Sequence, residues 1–475
     1  MAIPVRTATT SFLRRRSWAA DMFAAVGILA LVLVDYLRPQ EYLPLLQGIP
    51  LLHITTGLAL LGLVLDLRLG VTRPAPAPHL VPTILFAVWC MITLVVRAPD
   101  QLGLRALALS TPIAVYVLLA QGIQTFRGLQ VLCGLLLAIG VALAAIGVDQ
   151  GLSHWGCHRL TIRAGHEVMS YDGRPCSEED LKVCEGEGSE PGSDYMCEKV
   201  GLFGTQTIRG RVRFRGTMED PNELSLAVGI VLPLALAFLD RRRSAARLLL
   251  FSLAFGTIGL CVFFTQSRGG QLVFLTVLGV YFVRRYGARA GLLAGSLLAL
   301  PILIFGGRSG AEGSTAERTE CWWTGLHLLV ASPGFGVGFG QFTEHHALTA
   351  HNSFILAAAE LGLPGLLIWS SIVYISIKIP VMALRSRVAP VATTWALALL
   401  ASMAGLVVGG MFLSFTYKTV YWIFIGLTGV LYQAIRRHDP AFTVRFGLRD
   451  LGIVAAVDLS LLIVLVGYTG SKLGW

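Results

Sequence analysis

The chain is a succession of apolar runs, each about 18–22 residues long, the length that crosses a lipid bilayer as an α-helix. We place these runs at 18–37, 49–67, 80–97, 105–123, 129–148, 222–239, 248–266, 270–283, 290–306, 352–377, 391–413, 419–435 and 451–469. Of the 475 residues, 55% are hydrophobic and 14% are charged, whereas a soluble domain carries about 25% charged residues. The sequence therefore predicts an all-α, polytopic transmembrane helical bundle of about 12–13 spans.

Arginine clusters between the apolar runs predict the orientation of the chain. The clusters are Arg241, Arg242, Arg243 and Arg247; Arg284, Arg285 and Arg289; Arg385 and Arg387; Arg436 and Arg437. All four lie on one side if the N-terminus is inside, as expected for cytoplasmic loops, which concentrate Lys and Arg. This placement explains the net charge of +10. Because no aromatic-basic groove or reading helix is visible, we expect a lipid bilayer as partner and no nucleic acid.

Two long loops, 150–221 and 306–351, then fall on the outer side, after N-terminal membrane helices at 1–149. The first loop contains Cys157, Cys176, Cys184 and Cys197. Four cysteines in a short extracytoplasmic segment predict two disulfides, with three possible connectivities. A zinc site that includes His154, His158 or His166 is the alternative. Spacings of eight and thirteen residues are unlike the close pairs of zinc ligands and favour disulfides.

A histidine and an asparagine stand where the second long loop enters the run 352–377. His351 and Asn352 can together hold a substrate hydroxyl, and a neutral imidazole is suited to removing its proton. A helix-end histidine that contacts lipid headgroups is the alternative. Glu360 lies deeper, where a carboxylate needs a partner. We expect an arginine or a hydrogen-bond donor of a neighbouring helix, in a structural role.

Four alternating arginines, Arg209, Arg211, Arg213 and Arg215, precede the run 222–239 on the outer side. The positive-inside rule does not account for them there. Guanidinium groups bind phosphate oxygens bidentately, so the cluster suits a phosphate or diphosphate, with lipid headgroups as the alternative. The stretch that follows predicts a helix start, with Asp220 as N-cap, Pro221 at the first helical position and Glu223 closing a capping box.

Two further segments of the outer side carry unusual residues. Arg268, in a short turn, is either another anion contact or an anchor that reaches the membrane surface. From Trp322 onward, apolar residues recur on one helical face, which predicts a helix lying on the membrane surface. The glycine-rich run 333–340 follows no strand and has no lysine, which argues against a nucleotide loop. We expect a flexible external loop that closes over a bulky substrate.

These motifs resemble the pattern of the O-antigen ligase superfamily, bacterial inner-membrane glycosyltransferases. The superfamily includes lipid A-core:O-antigen ligases, O-antigen and exopolysaccharide polymerases and protein O-oligosaccharyltransferases. Its pattern of His, then Asn/Ser/Gln, nine residues, Gly, two residues and Gly is present as His351, Asn352, Gly362 and Gly365. Other positions that resemble it are Arg215-Gly216, Asp220-Pro221-Asn222, Ser267-Arg268, Arg318, Trp322 and the run 333–342. The stretch YLRPQEYLP, 36–44, looks like the first loop of relatives found near exopolysaccharide systems.

The resemblance implies a catalytic membrane region at 210–430, followed by a C-terminal loop and last span at 436–475. It implies inverting transfer of a glycan from undecaprenyl diphosphate, without a metal or other cofactor, to a glycan, lipid or protein acceptor. The reaction would take place at the periplasmic face of the bacterial inner membrane. Arg215, Arg268 and Arg318 would then bind the diphosphate, His351 would deprotonate the acceptor hydroxyl and Asn352 would help to position it. The cysteine loop lies outside the family pattern, and the acceptor stays open.

Two other functions compete with glycan ligation. A polymerase of the same family would join repeat units by the same chemistry and differ only in its acceptor. A polysaccharide or lipid-glycan transporter would carry charged or broken-helix sites near the bilayer midplane. Here the arginines and the histidine described above lie at the outer ends of the apolar runs, which favours an enzyme.

Overall fold

A computed structural model describes residues 23–163, 166–177, 181–241, 244–291, 293 and 311–473. The helices that it forms are α1 Phe23–Leu37, α2 Leu51–Arg68, α3 Leu80–Arg97, α4 Leu102–Gly122, α5 Phe126–Leu152, α6 Leu181–Cys184, α7 Pro221–Gly229, α8 Leu232–Arg241, α9 Ala245–Phe264, α10 Arg268–Tyr286, α11 Ala311–Ala331, α12 Ser353–Arg385, α13 Pro390–Gly410, α14 Thr419–His438 and α15 Leu448–Leu473. Within the described residues, nine helical segments are long and apolar enough to cross a membrane. The predicted all-α, multi-pass membrane bundle is confirmed.

The predicted spans that fall on described residues correspond to these helices, with one difference. The span at 222–239 is one kinked segment, Pro221–Asp240, which contains α7 and α8. The spans at 270–283 and 419–435 are the helices α10 and α14. The predicted span at 290–306 and the first residues of the span at 18–37 lie outside the described residues, apart from 290, 291 and 293.

The core lies around α12, α13 and α14. Every residue of α14 from Thr419 to Ile435 is buried, whereas α2, α9 and α15 expose many leucines, as helices on a lipid-facing periphery do. Small residues allow the central helices to approach closely. A Cβ added at Gly409 of α13 would lie 1.7 Å from Leu226 of α7, and one added at Gly405 would lie 3.0 Å from Val277 of α10.

Hydrogen bonds separate the loops into two groups, one at each end of the bundle. At the first end, Arg215 contacts Glu41, Gln341 contacts Gln101 at 2.9 Å and Thr349 contacts Ser414 at 2.9 Å. At the opposite end, Gln433 donates to Pro76 at 2.7 Å and Lys378 donates to Arg445 at 2.9 Å. This division is the alternation that the arginine clusters predict. We call the first end, which carries His351, the site end.

The cysteine loop contains a small antiparallel sheet that the sequence analysis did not predict. Its strands β1 Trp155–Arg163, β2 His166–Pro175 and β3 Tyr195–Lys199 lie in the order β2-β1-β3. Cys157 is joined to Cys184 and Cys176 to Cys197. Glu198 of β3 is buried and accepts hydrogen bonds from the Thr207 hydroxyl at 2.6 Å and from the backbone N–H of Gly210 at 3.1 Å. The disulfide-linked sheet thus holds the turn that begins the arginine segment.

We expect the four thiols to resist a membrane-impermeant maleimide in intact cells until a reductant is added. The reason is that two disulfides leave no thiolate to react. Peptide mapping of the unreduced protein should give the Cys157–Cys184 and Cys176–Cys197 pairs. Labelling before reduction would contradict the disulfides. As a control, a cysteine placed at exposed Glu187 should label at once if the loop is extracytoplasmic.

Candidate active site

Asn352 forms the N-cap of α12 and determines where His351 lies. Its Oδ1 accepts hydrogen bonds from the backbone N–H groups of Phe354 at 2.9 Å and Ile355 at 3.1 Å, and its Nδ2 donates to the Met411 carbonyl at 3.3 Å. The side chain is fully buried. Capping of this kind satisfies N–H groups that the first helical turn leaves without partners. The observed contacts of Asn352 are therefore those of a residue that fixes the helix start.

His351 precedes this cap in a backbone conformation that side chains rarely adopt. Its φ is 48°, in the left-handed region. This conformation costs free energy for a residue other than glycine, and residues that adopt it are often found at functional sites. The imidazole is half-buried. Burial and then the Arg318 guanidinium lower the pKa of His351 from its ordinary value, against the opposing effect of the Asp220 and Glu317 carboxylates. The imidazole is therefore neutral at pH 7 and able to accept a proton.

The start of α7 forms a polar network beside this histidine. Asp220 is the N-cap, as predicted, and accepts a hydrogen bond from the backbone N–H of Asn222 at 2.7 Å. The Oδ1 atom of Asn222 accepts from the Ser267 hydroxyl at 2.7 Å and from Arg211 at 3.2 Å. Arg211 also donates to the Thr265 carbonyl at 2.8 Å. Arg211 thus joins the arginine segment to the turn that carries Arg268.

The predicted capping box is wrong in one respect. The Glu223 carboxylate does not close back on Asp220 but lies 3.5 Å from the Lys418 ammonium, on the connection between α13 and α14. A nearby cation outcompetes the capping geometry because a charged pair is stronger than a bond to a backbone N–H in a partly buried setting.

Arg268 is the first residue of α10 and is exposed at the site end. The preceding Ser267 caps the helix by accepting a hydrogen bond from the Gly270 N–H at 3.0 Å. A Cβ at Gly269 would lie 3.5 Å from Phe412, next to the Met411 carbonyl that holds Asn352. The N-termini of α7, α10 and α12 therefore meet at one place. The helix dipoles direct partial positive charge there, which favours an anion.

Arg215 lies at the edge of this site, between the loop after α1 and the cysteine loop, and has well-defined partners there. Its guanidinium donates to the carbonyl groups of Glu41 at 2.9 Å, Phe203 at 2.8 Å and Gly204 at 2.8 Å, and it lies over the Tyr42 ring. These contacts join the first outer loop to the cysteine loop. Arg318, by contrast, acts directly on the pKa of His351. Arg318 and Asp220 thus lie close enough to His351 to shift its pKa, whereas Arg215 has a set of main-chain partners.

The glycine-rich run 333–342 is held against α12, so the expectation of a flexible loop is wrong. The carboxylate of Glu360 accepts hydrogen bonds from the N–H groups of Gly340 and Phe342, each at 3.0 Å. Val337 donates to the Ala359 carbonyl at 2.9 Å, and Leu363 donates to the Pro333 carbonyl at 2.8 Å. Glu360 has the structural role that was predicted, but its partners are backbone groups of this loop.

A break in α12 makes room for this loop. Gly362 has φ 68° and ψ −172°, a conformation that is essentially restricted to glycine. A Cβ at Gly362 would lie 2.6 Å from the carbonyl oxygens of Pro333 and Gly334. The first glycine of the His-Asn motif therefore serves to interrupt the helix and admit the loop.

The tryptophan-bearing helix α11 also differs from its prediction. Leu326 and Leu329 are buried, but Val330 is 79% exposed. The Trp322 ring lies 5.8 Å from the Tyr468 ring of α15, and Gly325 is closely packed against Ile355 of α12. The helix is thus packed into the bundle, and the apolar face is narrower than the sequence pattern suggests.

Metal-ligand geometry occurs at one place in the described part of the chain. The sulfurs of Cys157, Cys176 and Cys184 lie within 4.8 Å of one another. All three belong to the two disulfides, so the zinc alternative does not fit this arrangement, because zinc needs free thiolates.

The fold and the site together define a polytopic membrane protein with a polar site at one end of its helical bundle. Residues 249–370 match the family model described as O-Antigen ligase. The chain therefore carries an O-antigen ligase domain, and its resemblance to that superfamily is confirmed. Arg268, Arg318, His351 and Asn352 lie inside the matched segment, and Arg215 lies before it. Among curated proteins, none matches the chain.

The match determines the class of protein. The protein is a multi-pass membrane protein whose residues 249–370 form a domain of the O-antigen ligase type.

Proposed function

We propose that the protein transfers a glycan from undecaprenyl diphosphate to an acceptor hydroxyl at the periplasmic face of the bacterial inner membrane. The observation that carries the proposal is His351. Its imidazole is half-buried at the start of α12, and burial and the Arg318 guanidinium lower its pKa, near the place where three helix N-termini meet. A base and an anion-binding environment at one place are what such a transfer requires.

At the anomeric carbon the reaction forms one C–O bond and breaks another, and one proton moves from the acceptor to His351. The acceptor oxygen loses its proton to His351 and attacks the anomeric carbon of the donor sugar, with inversion. The bond between that carbon and the diphosphate oxygen breaks, and the electron pair leaves with the diphosphate. Arg268, Arg318 and the helix N-termini stabilise the charge that develops there. Asn352 acts as a positioning residue through the start of α12, and Arg215 is proposed to hold the rim on which the diphosphate lies.

Two further observations favour this placement. The arginine clusters that include Arg247 and Arg385 lie at the end opposite the site, as the positive-inside rule requires for a periplasmic site. Glu360, the deep carboxylate that a transporter would use, has both oxygens bonded to the backbone of the 333–342 loop. Both support an enzyme whose site opens to the periplasm.

The test is the analysis of lipid-linked and surface glycans in a deletion strain, complemented with the wild-type chain or with His351→Ala. Loss of attachment with intact long chains would indicate a ligase, and collapse of chain length would indicate a polymerase. Surface glycans that are normal in the deletion strain would contradict the proposal.

The acid limb of the pH profile tests the role of His351. Because burial and then Arg318 lower the pKa of His351, the limb of kcat/KM is expected below the ordinary histidine value of about 6.5. Removing the positive charge in Arg318→Gln should raise that pKa and move the limb to higher pH, whatever the loss of rate. Arg449→Gln, on the exposed opposite end, serves as control and should leave the limb in place. An unmoved limb in Arg318→Gln would exclude His351 as the titrating base.

A further inference from the structure

A cavity lies at the end of the bundle opposite the site end, where α8, α9, α10 and α13 come together. Its volume is about 550 Å³, within the range of small-molecule sites, about 300–1,000 Å³. α8 ends at Arg241, α9 begins at Ala245 and α10 ends at Tyr286, so the ends of three helices lie around it. None of the residues that line this cavity takes part in the transfer proposed above.

Part of the cavity wall is apolar and reaches the lipid-facing surface. Leu236 and Leu239 of α8, Leu248 of α9 and Leu397 of α13 form this part. Leu248 is 55% exposed, on a helix that exposes many leucines to the hydrocarbon region. Burial of an alkyl chain against such a wall is favourable, at roughly 0.8 kcal/mol for each CH₂ group removed from water. The apolar part therefore suits a hydrocarbon chain that enters from the bilayer.

Two hydrogen-bond donors, Arg284 and Ser244, lie in the polar part of the wall. The Ser244 hydroxyl accepts a hydrogen bond from the Arg247 backbone N–H at 3.3 Å, and its own O–H group can still donate. Arg284 is exposed, and within the described part of the chain its guanidinium has no carboxylate partner. A guanidinium binds phosphate oxygens in pairs. The two side chains together can therefore hold a phosphate group.

The charges around the cavity favour an anionic ligand. Asp240 contributes a carboxylate to the wall, but three arginines follow it directly in the sequence, and Arg247 lies in the first turn of α9. The Arg247 guanidinium donates to the Phe238 carbonyl of α8 at 3.0 Å, which keeps its positive charge at the connection between α8 and α9. Positive charge thus exceeds negative charge at this end of the cavity, and a phosphate is attracted.

A phospholipid combines the two features that the cavity wall requires, a hydrocarbon chain and a phosphate group. Basic pockets between transmembrane helices bind anionic lipid headgroups, and each Lys or Arg near the membrane surface adds about 1 kcal/mol to the attraction. A soluble phosphate would bond the donors but leave the apolar wall without a partner. The combination therefore favours a lipid over a free anion.

We propose that this cavity binds an anionic phospholipid, with its phosphate group bonded to Arg284 and Ser244 and one acyl chain along the leucines of α8 and α9. The site lies at the end opposite the candidate active site, so the inference does not depend on the proposed function.

Binding is measured on the full-length protein in nanodiscs of phosphatidylcholine. The probe is a small fraction of phosphatidylglycerol that carries a photoreactive diazirine in one acyl chain. Labelled peptides are quantified by mass spectrometry, with the lipid-facing helix α2 as internal reference. The probe should label residues 232–253 in excess of α2, whereas a phosphatidylcholine probe with the same chains should not. Arg284→Gln should lower the excess about tenfold, as expected for the loss of a hydrogen bond between charged groups.

Two further variants control this measurement. Arg387 is an exposed arginine at the same end that does not line the cavity, so Arg387→Gln should leave the labelling unchanged. Leu239→Trp fills the apolar part of the cavity from a half-buried position and should remove the excess with Arg284 intact. It decides the matter if Arg284→Gln lowers the temperature of unfolding.

Equal labelling in the wild type, Arg284→Gln and Leu239→Trp would overturn the inference. An equal excess with the phosphatidylcholine probe would do so too, because the cavity would then accept chains without recognising the headgroup. Full competition by inorganic phosphate at constant ionic strength would indicate a site for a free anion instead. Asp240→Asn should increase the excess, because it removes a negative charge from the wall, and a decrease would indicate a ligand with an ammonium group and contradict an anionic lipid.

Discussion

Replacing His351 by alanine is expected to lower glycan transfer by about 10²–10⁴-fold, the contribution of a general base. Insertion and folding should be retained, because the cap of α12 is made by Asn352. The measurement is the rate of transfer from a purified lipid-linked donor in proteoliposomes, together with the temperature of unfolding.

Two variants distinguish the loss of the imidazole from a change in the backbone conformation at position 351. Asparagine tolerates the left-handed region in which His351 lies, so His351→Asn removes the base without adding strain and should be as inactive as His351→Ala. His345→Ala, an exposed histidine of the same loop, should keep the wild-type rate. A His351→Asn protein that transfers glycan at the normal rate would end the case for His351 as the base.

Gly362→Ala is expected to destabilise the protein strongly and abolish activity with it. The backbone conformation alone costs a residue other than glycine about 1–3 kcal/mol. The new Cβ would also lie 2.6 Å from two carbonyl oxygens of the 333–342 loop, so the loop must leave α12 and give up its bonds to Glu360. The measurement is the midpoint of thermal unfolding in detergent, followed by the transfer rate.

Gly334→Ala is the matched control for this effect. Gly334 belongs to the same contact, but a Cβ there would meet no atom within 4 Å. The control should therefore unfold near the wild-type temperature and stay active. If Gly362→Ala and Gly334→Ala had the same unfolding temperature and transfer rate, the break in α12 would not be the reason for a glycine at position 362.

Much of the architecture follows from the sequence, because membrane spans depend on composition summed over a local window. The apolar runs, the arginine clusters between them and the cap at Asp220 all act within a few turns of chain, so their effects can be derived residue by residue. The pattern around His351 and Asn352 likewise carries the family resemblance that the match at 249–370 confirms. The same pattern identifies His351 as the candidate base, a role that stays a prediction.

Other features depend on which distant segments meet, and these required the tertiary structure. Arg215 was singled out for its charge, yet its observed partners include the carbonyl of Glu41, a position 174 residues away. Arg211, the arginine that bonds Asn222 at the start of α7, carries no local signal that separates it from its neighbours.

By itself, then, the sequence determined a multi-pass membrane protein with the motifs of an O-antigen ligase domain, and the residue types of its candidate site. The three-dimensional packing decided that Glu360 holds the glycine-rich loop, that Gly362 breaks α12, and that a sheet with two disulfides supports the arginine segment. The physical reason is that hydrophobicity is a property of each side chain, whereas the partner of a backbone N–H, a carbonyl or a buried carboxyl group is chosen by long-range contact.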